Sequence, residues 1–206
     1  RCLAVDEQGN LIVGDQIMAA CGLDRKKRGI LPQNTIVATV MSNLGLHMFA
    51  QEYGLNLECT DVGDRNVLEK MLERGYALGG EQSGHMIFRD YATTGDGQLT
   101  ALQVLALLKE SGKKASEVFG TCARYPQVLI NVPVADNDVK KAVMANPALW
   151  EAVKAEEDKL AGSGRILVRP SGTEALMRVM VEAKTEEAAQ QAARRLADRI
   201  PSLAEG

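Results

Sequence analysis

TIVATV, residues 35–40, is an uncharged run dominated by β-branched side chains. That is the composition of a strand covered on both faces, as in a parallel sheet flanked by helices. Working outward, residues 15–28 read as a helix, and LGLHMFAQEY (44–53) reads as the helix that follows the strand. Strand-like LNLECT (55–60), helix-like RNVLEKMLERG (65–75), strand-like YALGG (76–80) and strand-like HMIFRD (85–90) continue the rhythm. This alternation predicts β-α-β units. Upstream, RCLAVDEQGNLIV predicts a hairpin turning at Gly9-Asn10, and the chain opens at Arg1 rather than Met, so a piece of a longer protein is expected. Downstream, TTGDG (93–97) opens a helix whose LTALQVLALL (99–108) is apolar nearly all round and is expected to be buried.

The rhythm changes at GTCARYPQ (120–127). Strand-like VLINVPV (128–134) leads to a helix with Asn146 and Pro147 as N-cap and N1, then to strands RILVR (165–169) and ALMRVMVEA (175–183). A last helix starts at Thr185, with Glu186 and Glu187 in its first turn and Ala188, Ala192, Leu196 and Ile200 on one face. A second, α+β domain is therefore expected from about residue 126.

The 206 residues are 46% apolar and 25% charged, enough for one large or two small cores. A net charge of -3 without a basic patch leaves no electrostatic footprint for nucleic acid. The run Arg25-Lys26-Lys27-Arg28 falls at a helix end, where cations complement the dipole. No apolar run reaches the ~20 residues of a membrane helix, so no membrane partner is expected. The four cysteines are widely spaced and the histidines number two, which suggests neither a disulfide framework nor a zinc site and fits a cytoplasmic protein.

Two loops could carry chemistry. In RPSGTEALMR (169–178), period-2 alternation puts Arg165, Leu167 and Arg169 on one strand face. Met177, Val179 and Val181 form an apolar face on the returning strand and leave Arg178 on the other, so Arg169 and Arg178 can flank one loop mouth. Ser171 and Thr173 add hydroxyls, and Gly172 lets backbone N–H groups approach an anion, as in a nest. The simpler reading is a hairpin connection with Pro-Ser-Gly turn chemistry. Neither G-x-x-x-x-G-K-[ST] nor G-x-G-x-x-G is present, so ATP and NAD lose their usual warrant. In GGEQSGH (79–85), Glu81 and Ser83 are groups that read sugar hydroxyls, and His85 could carry a proton at neutral pH. Each also has a plainer role, Glu81 as a turn acid and His85 as a packed imidazole. Asp96 and Asp64 are expected to cap the helices after TTGDG and VGDR, although Arg65 could reach an anion.

MSNLG (41–45), VGDR (62–65), GEQSGH (80–85), TTGDG (93–97) and RPSGTE (169–174), in this order, resemble the C-terminal half of the α-D-phosphohexomutases, within them the bacterial phosphoglucosamine mutases. The resemblance implies a four-domain enzyme interconverting glucosamine 6-phosphate and glucosamine 1-phosphate through a hexosamine 1,6-bisphosphate. It implies an α/β Rossmann-like domain followed by a smaller α+β (TATA-binding-protein-like) domain. Residues 1–13 would be the remnant of a preceding metal-loop domain, 14–122 the third domain with its sugar-binding loop, and 126–206 the fourth with its phosphate-binding loop. By resemblance, Glu81 and Ser83 hold ring hydroxyls, and Arg169, Ser171, Gly172, Thr173 and Arg178 hold the non-reacting phosphate. The family's phosphoserine and its Mg²⁺ ligands would lie in the missing N-terminal domains, with Arg1 the last residue of the metal loop, so the phosphosugar is the partner expected of this chain. A homodimer of the full-length protein is compatible with the resemblance. Ala175 stands where the family usually has proline. The runner-up is a phosphoglucomutase/phosphomannomutase, in which position 82 is often methionine rather than Gln82; a non-catalytic sugar-phosphate-binding module is a further alternative.

Overall fold

The structure, a computed structural model, describes residues 1–204. The chain divides after Arg124 into two units.

In the first unit, β1 (Ala4–Val5) and β2 (Leu11–Ile12) form an antiparallel hairpin. Its turn is closed by the Asp6 carboxylate, which accepts from the N–H groups of Gln8 (2.9 Å) and Asn10 (2.8 Å). Helix α1 (Gly14–Lys27) places Asp15 in its first turn and Arg25, Lys26 and Lys27 in its last, the polarity its dipole favours. Arg25 is nevertheless buried, paired with Asp90.

A four-stranded sheet follows, built from β3 (Thr35–Thr39), β4 (Asn56–Thr60), β5 (Leu78–Gly80) and β6 (Met86–Phe88) in the order β4-β3-β5-β6. β3 runs parallel to β4 and β5, while β6 turns back antiparallel to β5. All five β3 residues are buried, as the sequence predicts. Ile36 and Ala38 face one core with side chains of α1, α2 (Leu44–Glu52), α4 (Gly97–Ser111) and α5 (Ala115–Phe119). Val37 faces a smaller core with Val67 and Met71 of α3 (Asp64–Arg74). The unit is therefore an α/β/α sandwich.

Helix α4 departs from expectation. Only Thr100 and Val104 are buried, and Leu102 and Leu105 are 64% and 61% exposed. A helix that packs one side on α1, α5 and β6 leaves the opposite side uncovered whatever its composition. Its start agrees with expectation, because Asp96 Oδ1 accepts from the N–H groups of Gln98 and Leu99.

The second unit is an antiparallel sheet ordered β7-β9-β8, made by β7 (Gln127–Pro133), β8 (Gly164–Pro170) and β9 (Leu176–Ala183). Two helices, α6 (Asn137–Ala145) and α7 (Pro147–Lys159), cross between β7 and β8. Asn146 and Pro147 open α7 as expected, but α6 has no counterpart in the sequence reading. It is capped by Asp136, which accepts from Asp138 and Val139. Helix α8 (Glu186–Ala197) is capped by Thr185. The helix stops at Ala197 and Ile200 opens a separate short helix, α9 (Ile200–Ala204), but Ile200 still packs in one core with Ala192 and Leu196, as the expected face requires. Met177, Val179 and Val181 of the central strand share one core with Leu149, Val153, Ala192 and Leu196. An α/β domain is thus followed by an α+β domain.

Helices α7 and α8 are tied by Glu156, whose residue is 6% exposed. Arg195 donates to it from Nε (3.0 Å) and Nη2 (2.8 Å), and Lys159 Nζ donates at 2.7 Å. The Arg195 bond, ahead of Lys159, holds the Glu156 carboxyl below its ordinary pKa. A depressed folded-state pKa gives stability that is complete above the unfolded value and lost as pH falls through the folded one. Glu156→Gln should cost about 1–2 kcal/mol in urea unfolding at pH 7, discounted for the half-exposed Arg195, and the gap to the parent should close below roughly pH 4. An unchanged gap at pH 3 would remove the ion pair as its cause.

Candidate functional site

The segment GGEQSGH is a hairpin turn joining β5 to β6. Glu81 N–H donates to the carbonyl of His85 (2.9 Å), and Gly84 N–H to that of Glu81 (2.9 Å). The turn is also clamped from outside. Cys2 N–H donates to Gly84 O (2.9 Å) and Gly14 N–H to Gln82 O (3.0 Å). A Cβ on Gly14 would lie 2.1 Å from Glu81 O, so the backbones meet at a distance only glycine permits.

The turn borders a cleft of ≈480 Å³ that Arg1, Thr39, Met41, Gly63 and Asp64 share with Glu81, Gln82, Ser83 and His85. Thr39, Glu81 and the Gly63-Asp64 pair lie just at or beyond the carboxyl ends of β3, β5 and β4, where open α/β sheets take ligands. Glu81 Oε1 accepts from Gly63 N–H (3.2 Å) and Oε2 from Ser83 Oγ (3.3 Å). A carboxylate has about four acceptor positions, so two hydrogen bonds leave it open to ligand hydroxyls. His85 Nε2 is buried, makes no hydrogen bond among the described residues and lies 3.8 Å from Asp64 Oδ2. Its ring occupies the space a Cβ on Gly95 would need, which explains the glycine of TTGDG.

Two expectations change here. Asp64 is not the N-cap of α3; Gly63 is, at φ +131, a conformation aspartate rarely adopts, while Asp64 accepts from Arg65 N–H through Oδ1 (2.9 Å) and sets Oδ2 3.8 Å from His85 Nε2. Arg65 does not line the cleft; its Nε is bonded to Glu69 (2.7 Å) on the exposed surface of α3. Thr39, Met41 and Gly63 are cleft residues the sequence did not single out, and Arg1, expected only as the last residue of a metal loop, lines the cleft as well. Met41 and Gly63 sit inside the quoted motifs, while Thr39 carried no signal beyond its strand.

The second loop lies in the second unit, between β8 and β9. Register places Arg165 opposite Glu182 and Arg169 opposite Arg178. The first pair is complementary, 3.2 Å apart with Glu182 fully buried. The second sets like charges across a ladder, which is destabilising unless compensated. Arg178 has Glu174 (2.8 Å), but among the described residues no carboxylate reaches Arg169. Burial first, and the neighbouring Arg178 charge second, hold the Arg169 guanidinium below its ordinary pKa.

Between them Ser171 is buried, while Gly172 and Thr173 are exposed. Ser171 N–H donates to Leu176 O (2.9 Å), Val134 N–H to Ala175 O (3.0 Å), and Lys140 Nζ to the carbonyls of Ser171 (2.8 Å) and Glu174. Ser171 Oγ accepts from Glu174 N–H (3.2 Å). The left-handed residue of a classical nest is missing, because neither Gly172 nor any other residue of 169–174 has positive φ. The loop's carbonyls are pulled toward the body of the unit instead. Lys140 carried no signal, because its helix was not read.

An α/β/α unit with a polar cleft at its strand ends, followed by an α+β unit with an arginine-flanked loop, defines the structural class. Residues 13–125 match the family model described as phosphoglucomutase/phosphomannomutase, alpha/beta/alpha domain III, and residues 129–199 match the C-terminal domain of the same family. The chain belongs to the phosphoglucomutase/phosphomannomutase family. It is 57% identical over 187 residues to a phosphoglucosamine mutase of Ruminiclostridium cellulolyticum, a match spanning 91% of this chain and 41% of that protein. With the phosphoglucosamine mutase of Caldicellulosiruptor saccharolyticus it shares 54% over 202 residues, 98% of this chain and 45% of that one. The chain thus spans less than half the length of these curated relatives. Among solved structures it is similar to Aspergillus fumigatus N-acetylphosphoglucosamine mutase in complex with GlcNAc-6P and magnesium, at TM-score 0.80 and 23% identity over 98% of this chain and 46% of that one. At that identity the likeness shows the fold.

Gly172 discriminates between a turn and a binding loop. A Cβ there would meet nothing within 4 Å, and its φ is not positive, so the protein's own packing does not require glycine. Gly172→Ala should leave the melting temperature within about 1–2 °C of the parent, since surface changes stay within ~0.5 kcal/mol. Inorganic phosphate binding, measured by calorimetry, should weaken. Unchanged binding would reduce the loop to a turn.

Proposed function

We propose that this chain is the substrate-binding half of a phosphoglucosamine mutase, interconverting glucosamine 6-phosphate and glucosamine 1-phosphate through a hexosamine 1,6-bisphosphate. The observation that carries the phosphate site is Arg169, a partly buried cation facing a second arginine without a carboxylate of its own. An anion between them would supply the missing charge through charge-assisted bonds. The amino-sugar assignment is supported by 52–57% identity to phosphoglucosamine mutases over at least 91% of the chain.

In this reading Glu81 and Ser83 accept and donate to ring hydroxyls, and Arg169, Ser171, Gly172, Thr173 and Arg178 surround the phosphate that is not transferred. His85 assists proton transfer in this reading only if its Nε2, buried and without a hydrogen bond among the described residues, becomes accessible to the attacking hydroxyl. Arg65 takes part only if it leaves Glu69. Among the described residues no group of three or more His, Cys, Asp or Glu could hold a metal. In this reading the Mg²⁺ and the phosphoserine are supplied by the part of the longer relatives that the chain does not cover. Residues 1–13 then lead from the metal-loop domain, and 14–122 and 126–206 are the third and fourth domains. No helix among the described residues is long and apolar enough to cross a membrane.

The two loops should separate by substitution. Arg169→Ala should weaken glucosamine 6-phosphate binding by roughly 2–3 kcal/mol and leave the feeble binding of glucosamine itself unchanged. Glu81→Ala should weaken both sugar phosphates, because a ring bound in two orientations offers equivalent hydroxyls to one loop. Equal loss of glucosamine and glucosamine 6-phosphate in Arg169→Ala would sink the phosphate assignment.

Phosphoryl transfer depends on a positioned donor and on a cation at the transferring group. The 206-residue chain should therefore bind glucosamine 6-phosphate weakly and convert none. Sustained glucosamine 1-phosphate formation above a blank, followed by phosphorus NMR with the bisphosphate and Mg²⁺ present, would overturn the division of labour.

A further inference from the structure

Lys140 is in an unfavourable place for a lysine. It sits in the first turn of α6, where the helix dipole opposes a cation, and its residue is only 5% exposed. Among the described residues no carboxylate lies within ion-pair distance of its ammonium. Its ammonium donates to two main-chain carbonyls of one loop, those of Ser171 at 2.8 Å and of Glu174. Burying a cation without a counter-ion is costly, and two carbonyl dipoles compensate it only in part.

The geometry of a trans peptide gives that arrangement a consequence. The carbonyl of one residue and the N–H of the next point in opposite directions. Drawing the Ser171 carbonyl inward onto Lys140 turns the Gly172 N–H outward, and that N–H makes no hydrogen bond among the described residues. The same lysine thus leaves a backbone donor of the 169–178 loop turned away from itself and keeps a positive charge against the loop's carbonyls.

We propose that Lys140 is the positioning residue of the anion loop, setting the Gly172 amide toward a bound phosphate and lending it a third positive charge after Arg169 and Arg178. This rests on the reading that the loop binds the phosphate of a sugar phosphate. Without Lys140 the Ser171 and Glu174 carbonyls would lose the donor they share, and the loop would keep only its bonds through Ser171, Glu174 and Ala175.

The test compares Lys140→Met, Lys140→Gln and Lys140→Arg with Arg169→Ala in the 206-residue chain, using calorimetric titration with glucosamine 6-phosphate and circular dichroism to confirm folding. Folded Lys140→Met or Lys140→Gln should bind about tenfold or more weakly, the scale of one charge-assisted hydrogen bond, and Lys140→Arg should recover most of the loss. A folded neutral variant that binds like the parent overturns the inference, as does an arginine variant as weak as the neutral ones. Arg169→Ala separates the two layers. If it too binds like the parent, the phosphate reading has failed; if it is weak while neutral Lys140 variants bind normally, the lysine inference alone has failed. The parent chain supplies a readout that needs no variant of Lys140. On saturation with glucosamine 6-phosphate the Gly172 amide resonance should move downfield, and a resonance that stays in place while that of Arg169 Nε shifts overturns the proposal.

Discussion

The burial of β3 on both faces is the constraint from which the first unit follows. Five consecutive buried residues leave no solvated side to the sheet, so helices must cover both faces. Parallel pairing with β4 and β5 then requires crossover helices, and α2 and α3 supply them. The carboxyl ends of these strands open on one edge, and Thr39, Gly63 and Glu81 are brought together there as cleft residues. The site's location is a by-product of topology, while its chemistry depends on a few side chains at the strand ends.

The two candidate loops are held in opposite ways. The 81–84 turn is gripped by main chain pressing on main chain, with Gly14 and Gly84 each at a point where a Cβ would collide with a neighbouring carbonyl. Such a turn is rigid because nothing bulkier fits. The 171–174 loop has open space around Gly172 and is restrained instead by hydrogen bonds to its carbonyls from Lys140 and Val134. Glycine serves packing in the first case. In the second it leaves room that the folded chain does not fill.

The order of helices and strands was legible because each buried face writes its own period. TIVATV and the alternation of RILVR with ALMRVMVEA need only local composition to be read, and the opposition of Arg169 to Arg178 follows from alternation once the two strands pair. What escaped depends on contacts distant in sequence. Helix α6 is short, and its apolar side is narrow: Val143 is its buried hydrophobic residue. Lys140 reads as an ordinary surface lysine until a loop 31 residues away is folded over it. The exposed side of α4 could not be foreseen either, because Leu102 and Leu105 are indistinguishable in sequence from core leucines. Asp64 was misread because the local rule for caps competes with a glycine conformation that only the tertiary structure reveals.

Charge placement on the β8-β9 face separates fold from binding. Arg165 and Arg169 lie on the same strand face four residues apart, yet one meets Glu182 and the other meets Arg178. The Arg165-Glu182 end is self-sufficient, and its carboxylate is fully buried. At the other end Arg169, Arg178 and the Lys140 ammonium gather three cations around a loop whose single carboxylate, on exposed Glu174, is engaged by Arg178 alone. Such clustering works against folding, since like charges repel and buried cations lose hydration. A fold that keeps one end of a ladder neutral and concentrates uncompensated charge at the other has separated the stability of the sheet from the chemistry at its tip. The excess is of the sign and size that a doubly charged phosphate ester would balance.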